Sequence, residues 1–168
     1  MNTLFTETYD TPLGKMVAFA NEKALLLFDF EDSKYFQKHL KEISQHKTIV
    51  DAPEHKVLQT LKQELTLYFN GKLSHFTVPI DFSGTDFQKK VWKELQNIGF
   101  GEYKTYLAQA ESMSAPKSVR AVANANSKNK LCIIVPCHRV IGKNRSLTGY
   151  AGGIERKAAL LKLEGIVL

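Results

Sequence analysis

The spacing of apolar residues changes near residue 80, from a mixture of strand-like and helical patterns to a mostly helical one. Of the features of the sequence, this change restricts the possible folds most. Before it, residues 11–21 and 23–30 have the apolar, β-branched and aromatic character of two strands joined by a turn. Residues 32–44 and 54–69 have the i, i+3, i+4 spacing of amphipathic helices. The first half therefore predicts a small domain of strands and helices, and residues 78–85, VPIDFSGT, form the connection that follows it.

The second half has helical spacing over most of its first 45 residues. Thr85 followed by Gln88 is a capping-box pattern, which predicts the start of a helix. The apolar stripe of that helix comprises Phe87, Val91, Trp92, Leu95 and Ile98. Two shorter helices, over 106–113 and 117–129, flank Ser-Ala-Pro, and such a pair is typical of a helix-turn-helix. We therefore predict an α+β protein with an α/β structural domain over 1–80 and a mostly helical domain over 81–168.

The positive charge of the chain is concentrated in the second half. The net charge of the 168 residues is +6, but residues 1–85 hold 9 Lys/Arg against 11 Asp/Glu, whereas residues 86–168 hold 14 against 6. The half with the two short helices therefore carries a net charge of +8. A basic surface beside a helix pair favours a nucleic-acid partner, although charge alone is also typical of a solvated face.

Neither the N-terminal residues nor the cysteines indicate export. No apolar run approaches the roughly 20 residues of a membrane span, and the N-terminus lacks the basic and apolar regions of a signal peptide. Cys132 and Cys137 are the two cysteines, and they do not resemble a disulfide framework. We expect a cytoplasmic protein, because a reducing compartment suits a thiol that is kept free for chemistry.

Cys137 is followed directly by His138, where an apolar run that we interpret as a buried strand meets Pro136. On the residues alone, three interpretations stay open. Cys137 could be a buried structural thiol, as we expect of Cys132 within LCIIV. It could bind zinc, although no paired C-x-x-C and H-x-x-x-H elements accompany it. It could be a nucleophile, activated by an imidazole that a carboxylate orients.

The segments IIVPCHRVIG (133–142) and TGYAGG (148–153) resemble the O6-alkylguanine-DNA alkyltransferase family, in particular its zinc-free bacterial members. The resemblance covers essentially the whole chain. It implies a ribonuclease H-like N-terminal α/β domain and a helical C-terminal domain with a helix-turn-helix. It also implies single-turnover repair of O6-methylguanine, and of O4-methylthymine, by a monomer that binds double-stranded DNA in the minor groove and rotates the damaged base out. No metal and no cofactor are expected.

The same resemblance implies roles for individual residues. Cys137 matches the alkyl acceptor, and His138 matches the residue that takes the thiol proton through a bridging water. Glu164 matches the carboxylate that orients His138, although its position also suits a surface residue at a helix end. Asn129 matches an asparagine that ties the recognition helix to the active-site strand through backbone hydrogen bonds.

The remaining implied residues contact the substrate or the DNA. Tyr106 matches a tyrosine that hydrogen-bonds the rotated base, although alone it could be a core aromatic. Tyr150 matches the wall of the alkyl pocket, the Val140 carbonyl an acceptor for the guanine amino group, and the Ala151 N–H a donor to O6. Arg120 matches the residue that fills the space left in the base stack. Its neighbours on the recognition helix are small, with Ala121, Ala123 and Asn124 closest to the DNA.

The chain departs from the family pattern where glycines and a proline are common, since Asn124, Ser127 and Lys130 occupy those positions. The alternative function is a non-enzymatic, alkyltransferase-like lesion-binding protein. Members of that group carry Trp at the acceptor position, so Cys137 argues against it. A helix-turn-helix regulator without a reactive thiol is a third possibility.

Overall fold

The computed structural model describes residues 2–168, and the chain divides into two compact units, Met1–Ser83 and Gly84–Leu168. The division lies close to the predicted boundary between residues 80 and 81. No helix within residues 2–168 combines the length and the apolar character needed to cross a bilayer.

The N-terminal unit contains a four-stranded sheet and two helices. Their bounds are β1 Thr3–Thr11, β2 Gly14–Ala20, β3 Leu25–Phe30, α1 Phe36–Ser44, β4 Thr48–Asp51 and α2 Lys56–Phe69. The strand order is β3-β2-β1-β4, with β1 antiparallel to β2 and parallel to β4. Strands β2 and β3 and both helices lie where the sequence predicts them. The sequence did not predict strands β1 and β4, because β1 is polar over most of its length, with four Thr, Glu7 and Asp10, and every residue of β4 is exposed.

Both faces of the sheet are covered by helices. All six residues of β3 are buried, as in a strand that has packing partners on each side. Leu27 belongs to an apolar cluster with Phe36 and Ile43 of α1. The next residue, Phe28, points to the other face, where its ring packs edge-on against Tyr9. The Tyr9 hydroxyl donates to the Leu58 carbonyl of α2 at 2.9 Å, so α1 and α2 lie on opposite faces.

A buried carboxylate fixes the segment that follows α2. Glu64, 7% exposed, accepts hydrogen bonds from the Thr77 N–H and hydroxyl and from the Val78 N–H, each at 2.8 Å. Two backbone hydrogen bonds then attach this segment to the start of β3: Leu25 donates to Pro79 at 2.8 Å, and Asp81 donates to Leu25 at 3.0 Å. Glu64 therefore holds the end of the unit against its sheet.

The C-terminal unit is mostly helical. Its elements are α3 Asp86–Leu95, β5 Lys104–Thr105, α4 Tyr106–Ser112, α5 Val119–Ser127, β6 Val140–Ile141 and α6 Ile154–Leu163. The predicted capping box of Thr85 and Gln88 opens α3. Val91, Trp92 and Leu95 are buried as predicted, whereas Phe87 is 37% exposed and lies at the edge of the stripe.

Helices α4 and α5 are consecutive and in contact, separated by a 3-10 turn at Pro116–Ser118. Gln109 and Asn126, both buried, exchange two amide hydrogen bonds of 3.0 and 2.7 Å between them. The Trp92 indole N–H donates to the Ala125 carbonyl at 2.9 Å and so joins α3 to α5. These buried polar contacts fix the relative placement of the three helices.

The strand predicted to end at Pro136 is absent, and this expectation was wrong. Residues 131–135 form a buried loop of turns, Cys137–Arg139 is a 3-10 turn, and the strand β6 follows the cysteine instead. Ile133 has φ of 72°, which is rare for a β-branched residue and incompatible with a strand. Strand β6 pairs in parallel with β5. The apolar run is buried because the loop packs into the core of the unit.

Candidate active site

The site is built around Cys137, which begins the 3-10 turn Cys137–Arg139 and is half-buried. Its N–H donates to the Val135 carbonyl at 2.9 Å, which tightens the chain around Pro136. The backbone therefore presents the thiol at the surface of a rigid loop. Of the two cysteines, Cys137 is the more accessible, since Cys132 is 5% exposed.

Asn129 holds this loop together from the end of α5. Its side-chain amide donates to the Val135 carbonyl at 2.7 Å and its oxygen accepts from the Leu131 N–H at 2.9 Å. The same amide nitrogen lies 3.3 Å from the Cys137 Sγ. This buried side chain thus satisfies two backbone groups of the loop, the Leu131 N–H and the Val135 carbonyl. The structure brings Asn129 and Cys137 together.

His138 and Glu164 form a fully buried pair. The His138 Nε2 lies 2.6 Å from the Glu164 Oε2, and neither side chain is exposed. A carboxylate oxygen accepts hydrogen bonds, so the pair assigns the ring proton to Nε2 and leaves the lone pair on Nδ1. Within residues 2–168, that Nδ1 is buried and has no hydrogen-bond partner. Glu164 is thus a buried residue at the end of α6 rather than a surface one.

Burial lowers the pKa of the His138 imidazole below its ordinary value. Glu164 opposes this shift through its hydrogen bond and its charge, whereas the cations of Arg139 and Lys157 reinforce it. The imidazole is therefore neutral at physiological pH. A neutral ring with an available Nδ1 lone pair can accept a proton, which is the property of a general base.

Arg139 is a site residue that the sequence analysis missed. Its Nε donates to the Glu164 Oε1 at 2.6 Å, and its Nη1 donates to the Ile98 carbonyl at 2.6 Å. Both oxygens of Glu164 are thus engaged, which fixes the carboxylate in one orientation. The available signal was an arginine inside an otherwise apolar run, since a buried guanidinium requires partners.

Lys157 is the second missed residue, and it is 1% exposed. Its Nζ donates to the Thr148 carbonyl at 2.8 Å and to the Tyr106 hydroxyl at 3.3 Å. Burial lowers the pKa of the Lys157 ammonium to about 8. Lys157, Leu160, Leu161 and Glu164 have i, i+3, i+4, i+7 spacing, so the helical pattern of α6 placed both charged residues on its buried face.

The predicted substrate residue Tyr106 belongs to the same cluster. Its hydroxyl donates to the Thr148 carbonyl at 2.9 Å. Burial raises the pKa of Tyr106, so its hydroxyl keeps its proton at neutral pH. Gly149 has φ of 69°, and a Cβ there would lie 3.1 Å from this hydroxyl. Glycine at that position therefore allows the chain to pass close to Tyr106.

The remaining predicted substrate residues surround the end of β6 and the loop before α6. Val140 is buried, and Tyr150 and Ala151 are half-buried. The Tyr150 hydroxyl lies 2.8 Å from the Cys132 Sγ. Cys132 is thus buried as expected. Its thiol does not only fill space in the core, because it also contacts Tyr150, which is predicted to line the alkyl pocket.

The predicted DNA-contacting residues lie on the outer face of α5. Arg120, Ala121 and Asn124 are exposed and Ala123 is half-buried. The opposite face is buried and comprises Val122, Ala125 and Asn126. The structure therefore separates the α5 residues expected to face DNA from the residues that pack α5 into the unit. No group of three or more His, Cys, Asp or Glu side chains within residues 2–168 is arranged to hold a metal ion.

Fold and site together define a two-unit protein in which a half-buried cysteine directly precedes, in the chain, the histidine of a buried imidazole–carboxylate pair. Two family models match the chain: "6-O-methylguanine DNA methyltransferase, ribonuclease-like domain" over residues 4–82, and the corresponding "DNA binding domain" over residues 86–166. This chain belongs to the 6-O-methylguanine DNA methyltransferase family. The predicted resemblance is confirmed, and so is the predicted α+β fold with an N-terminal sheet domain and a mostly helical C-terminal domain.

Relatives with nearly full coverage agree with this assignment. The constitutive methylated-DNA–protein-cysteine methyltransferase of Bacillus subtilis is 42% identical over 161 residues, covering 95% of this chain and 94% of that protein. Its counterpart in Methanosarcina barkeri is 40% identical, covering 96% and 97%. The crystal structure of Mycobacterium tuberculosis OGT in complex with DNA superposes with a TM-score of 0.83 at 38% identity, covering 95% and 92%.

Proposed function

We propose that this protein repairs alkylated DNA by transferring the alkyl group of O6-methylguanine irreversibly to its own Cys137. The Cys137 sulfur attacks the methyl carbon, the S–C bond forms as the O6–C bond breaks, and the electron pair of that bond stays with guanine. The thiol proton leaves the cysteine, and guanine takes up one proton. The product is a thioether, whose stability limits each molecule to one transfer. The observation that carries this proposal is that the half-buried thiol of Cys137 directly precedes, in the chain, the histidine of the buried His138–Glu164 pair.

His138 acts as the base that receives the thiol proton. We place the bridging water at Nδ1, because Glu164 engages Nε2 and Nδ1 carries the lone pair. Glu164 orients the ring and stabilises the imidazolium that forms, as in catalytic triads. Arg139 holds Glu164, and Asn129 holds the loop that carries the thiol. The relay therefore runs from Cys137 through water to His138 and Glu164.

Helices α4 and α5 serve as the helix-turn-helix that binds double-stranded DNA. The small exposed side chains of α5 suit close approach to a narrow minor groove, whereas long polar side chains would be needed to read bases in the major groove. The net charge of +8 over residues 86–168 supplies attraction to phosphates that is independent of sequence. A protein that searches all DNA for damage needs that independence.

The damaged base rotates out of the duplex to reach Cys137. Tyr106 hydrogen-bonds the rotated base, Tyr150 forms the wall of the alkyl pocket, and the Val140 carbonyl and Ala151 N–H contact the guanine. Unstacking a base costs a few kcal/mol, and a damaged pair lowers that cost. Arg120, an exposed cation among small neighbours, fills the space left in the stack. O4-methylthymine is a second substrate, and the protein acts as a cytoplasmic monomer.

The test of alkyl transfer uses a duplex oligonucleotide that carries O6-methylguanine labelled on the methyl group. Label should move to the protein, with at most one equivalent per chain. Cys137→Ser should abolish the transfer while DNA binding persists, and Cys132→Ser is the matched control that should retain it. Turnover beyond one equivalent indicates a hydrolase, and binding without transfer indicates the lesion-binding alternative; either result overturns the proposal.

The test of base rotation compares duplex DNA with free O6-benzylguanine, which requires no rotation. Arg120→Ala should slow transfer from duplex DNA far more than reaction with the free base. Arg120→Lys should recover only part of the rate, since a planar guanidinium stacks where an ammonium does not. A simple phosphate contact instead predicts nearly full rescue by Lys and a defect that fades at high salt. The measurement is the single-turnover rate at saturating protein.

A further inference from the structure

Cys132 is held rigidly next to Tyr150. Its side chain is 5% exposed, and its neighbours Leu131 and Ile133 are each 1% exposed. Hydrogen bonds inside the loop, from Ile134 to the Cys132 carbonyl at 2.8 Å and from Val135 to the Leu131 carbonyl at 2.9 Å, fix its backbone. The Sγ can therefore not move far from its position 2.8 Å from the Tyr150 hydroxyl.

Tyr150, in contrast, lies in a permissive stretch of chain. Gly149 and Gly153 have φ of 69° and 100°, and Gly152 is a third glycine within these five residues. Thr148 and Gly149 are exposed, and Tyr150 itself is half-buried. Glycines impose little restriction on the backbone on either side of this ring. The Gly153 N–H donates to the Tyr150 carbonyl at 3.0 Å and so holds the backbone, whereas the contact with Cys132 acts at the end of the side chain, where the position of the ring is set.

We propose that Cys132 is a positioning residue that determines, through the Tyr150 hydroxyl, which alkyl groups the site accepts. This inference rests on the proposed function, in which Tyr150 forms the wall of the alkyl pocket. With the thiol–hydroxyl contact in place, the ring is held at one distance from Cys137 and the pocket matches a methyl group. Without it, the ring can move outward, so the pocket admits larger groups and aligns the methyl group less well.

The test measures second-order rates with free O6-methylguanine and free O6-benzylguanine and reports their ratio. Cys132→Ala should raise the benzyl-to-methyl ratio by about two- to tenfold, the range that one hydrogen bond of ordinary strength supplies. Cys132→Ser retains a group that can hydrogen-bond Tyr150, so it should keep the wild-type ratio. Leu95→Ala is the matched control, because it removes buried packing from α3 of the same unit and should lower stability without changing the ratio.

A double-mutant cycle with Tyr150→Phe separates positioning from general packing. If Cys132 acts through the hydroxyl, Cys132→Ala should not change the ratio further in the Tyr150→Phe background. Equal slowing of both substrates by Cys132→Ala, a ratio change in Cys132→Ser as large as in Cys132→Ala, or additive effects in the double variant would each overturn the proposal. Failure of the proposed function is distinguishable, because the wild-type protein would then transfer no alkyl group from either base.

Discussion

Glu64 in the N-terminal unit and Glu164 in the C-terminal unit are buried to a similar degree, with 7% and 3% exposure. Their partners differ in kind. Glu64 accepts from two backbone N–H groups and a threonine hydroxyl, none of which titrates near neutral pH. Glu164 accepts from an imidazole and a guanidinium. The first carboxylate joins two segments of chain, whereas the second sets the orientation and proton affinity of a histidine.

The difference shows that burial of a carboxylate does not by itself indicate chemistry. The two sites differ in the groups that donate hydrogen bonds to the carboxylate and in what those groups can do. Behind Glu64 the hydrogen bonds end at the backbone of Thr77 and Val78. Glu164 instead contacts His138, whose Nδ1 has a lone pair that is available to accept a proton. His138 directly follows Cys137, which carries the half-buried thiol. The comparison therefore predicts that equal substitutions will affect folding in one unit and transfer in the other.

Of the changes that test this comparison, Glu164→Gln has the largest expected effect, which is on the rate of alkyl transfer. The glutamine amide places a donor nitrogen against either His138 or Arg139, both of which donate, so the ring loses its fixed orientation and its charge stabilisation. Single-turnover transfer should slow by about 10²–10⁴-fold, the usual contribution of general acid–base catalysis. Glu64→Gln is the matched control and should transfer at the wild-type rate. A wild-type rate in Glu164→Gln would contradict the role of Glu164 in transfer, because neither glutamate would then affect the rate.

Stability should respond to Glu64→Gln. One oxygen of the glutamine amide can still accept from the Thr77 and Val78 N–H groups. The nitrogen that replaces the other oxygen cannot accept from the Thr77 N–H or hydroxyl, and the charge that strengthens these hydrogen bonds is lost. Such a loss costs about 1–3 kcal/mol, and urea unfolding should show it as a lower midpoint with an unchanged slope. Thr66→Ala, on the exposed face of the same helix, is the control and should leave the midpoint nearly unchanged. An unchanged midpoint in Glu64→Gln would contradict the structural role assigned to this carboxylate.

The elements predicted correctly from the sequence are those whose signals are local. The capping box at Thr85 and Gln88 and the helical spacing of α2 and α3 require only neighbouring residues. Strand β4 has no such signal, since its residues are exposed and it exists through pairing with β1. The loop 131–135 does not form the predicted strand, although its apolar, β-branched residues are typical of one. Its actual conformation depends on Asn129, which supplies hydrogen bonds that the sequence does not reveal.

The site residues show the same division between those that a local motif indicates and those that only tertiary contacts reveal. Cys137, His138 and Glu164 were identified through the resemblance of the motif, and the structure brings His138 and Glu164 together across 26 residues of chain. Arg139 and Lys157 were missed because their importance comes from tertiary partners, Ile98 and Glu164 for one and Thr148 and Tyr106 for the other. A charged residue on the apolar face of a predicted helix, as Lys157 is, was the signal that could have revealed a buried polar cluster.

Lys157 extends the comparison to a buried cation. Its pKa is lowered to about 8 by burial, below the ordinary 10.5. Between these values the unfolded chain binds the proton and the folded chain does not, so stability rises with pH and is lost as pH falls through 8. The free energy of unfolding of wild type minus that of Lys157→Met should rise by up to about 1.4 kcal/mol per pH unit in this window. Leu160→Ala should give a difference independent of pH, and a flat curve for Lys157→Met would contradict the lowered pKa.

The smallest expected effect is on the acid limb of the pH–rate profile for alkyl transfer. This effect distinguishes the two carboxylates most directly. Burial lowers the pKa of His138 below 6.5, so at pH 6.5 more than half of the imidazole is still the neutral base. The rate at pH 6.5 should therefore lie within about twofold of the rate at pH 7.5, and should fall tenfold per unit only at lower pH. Glu164 raises the pKa of His138, so Glu164→Gln should move the acid limb of the pH–rate profile to still lower pH as well as slowing the reaction.

The control is Glu64→Gln, whose pH–rate profile should superimpose on that of the wild type. A limb centred above pH 6.5, or one that moves equally in both variants, would show that the proton acceptor is not the imidazole held by Glu164.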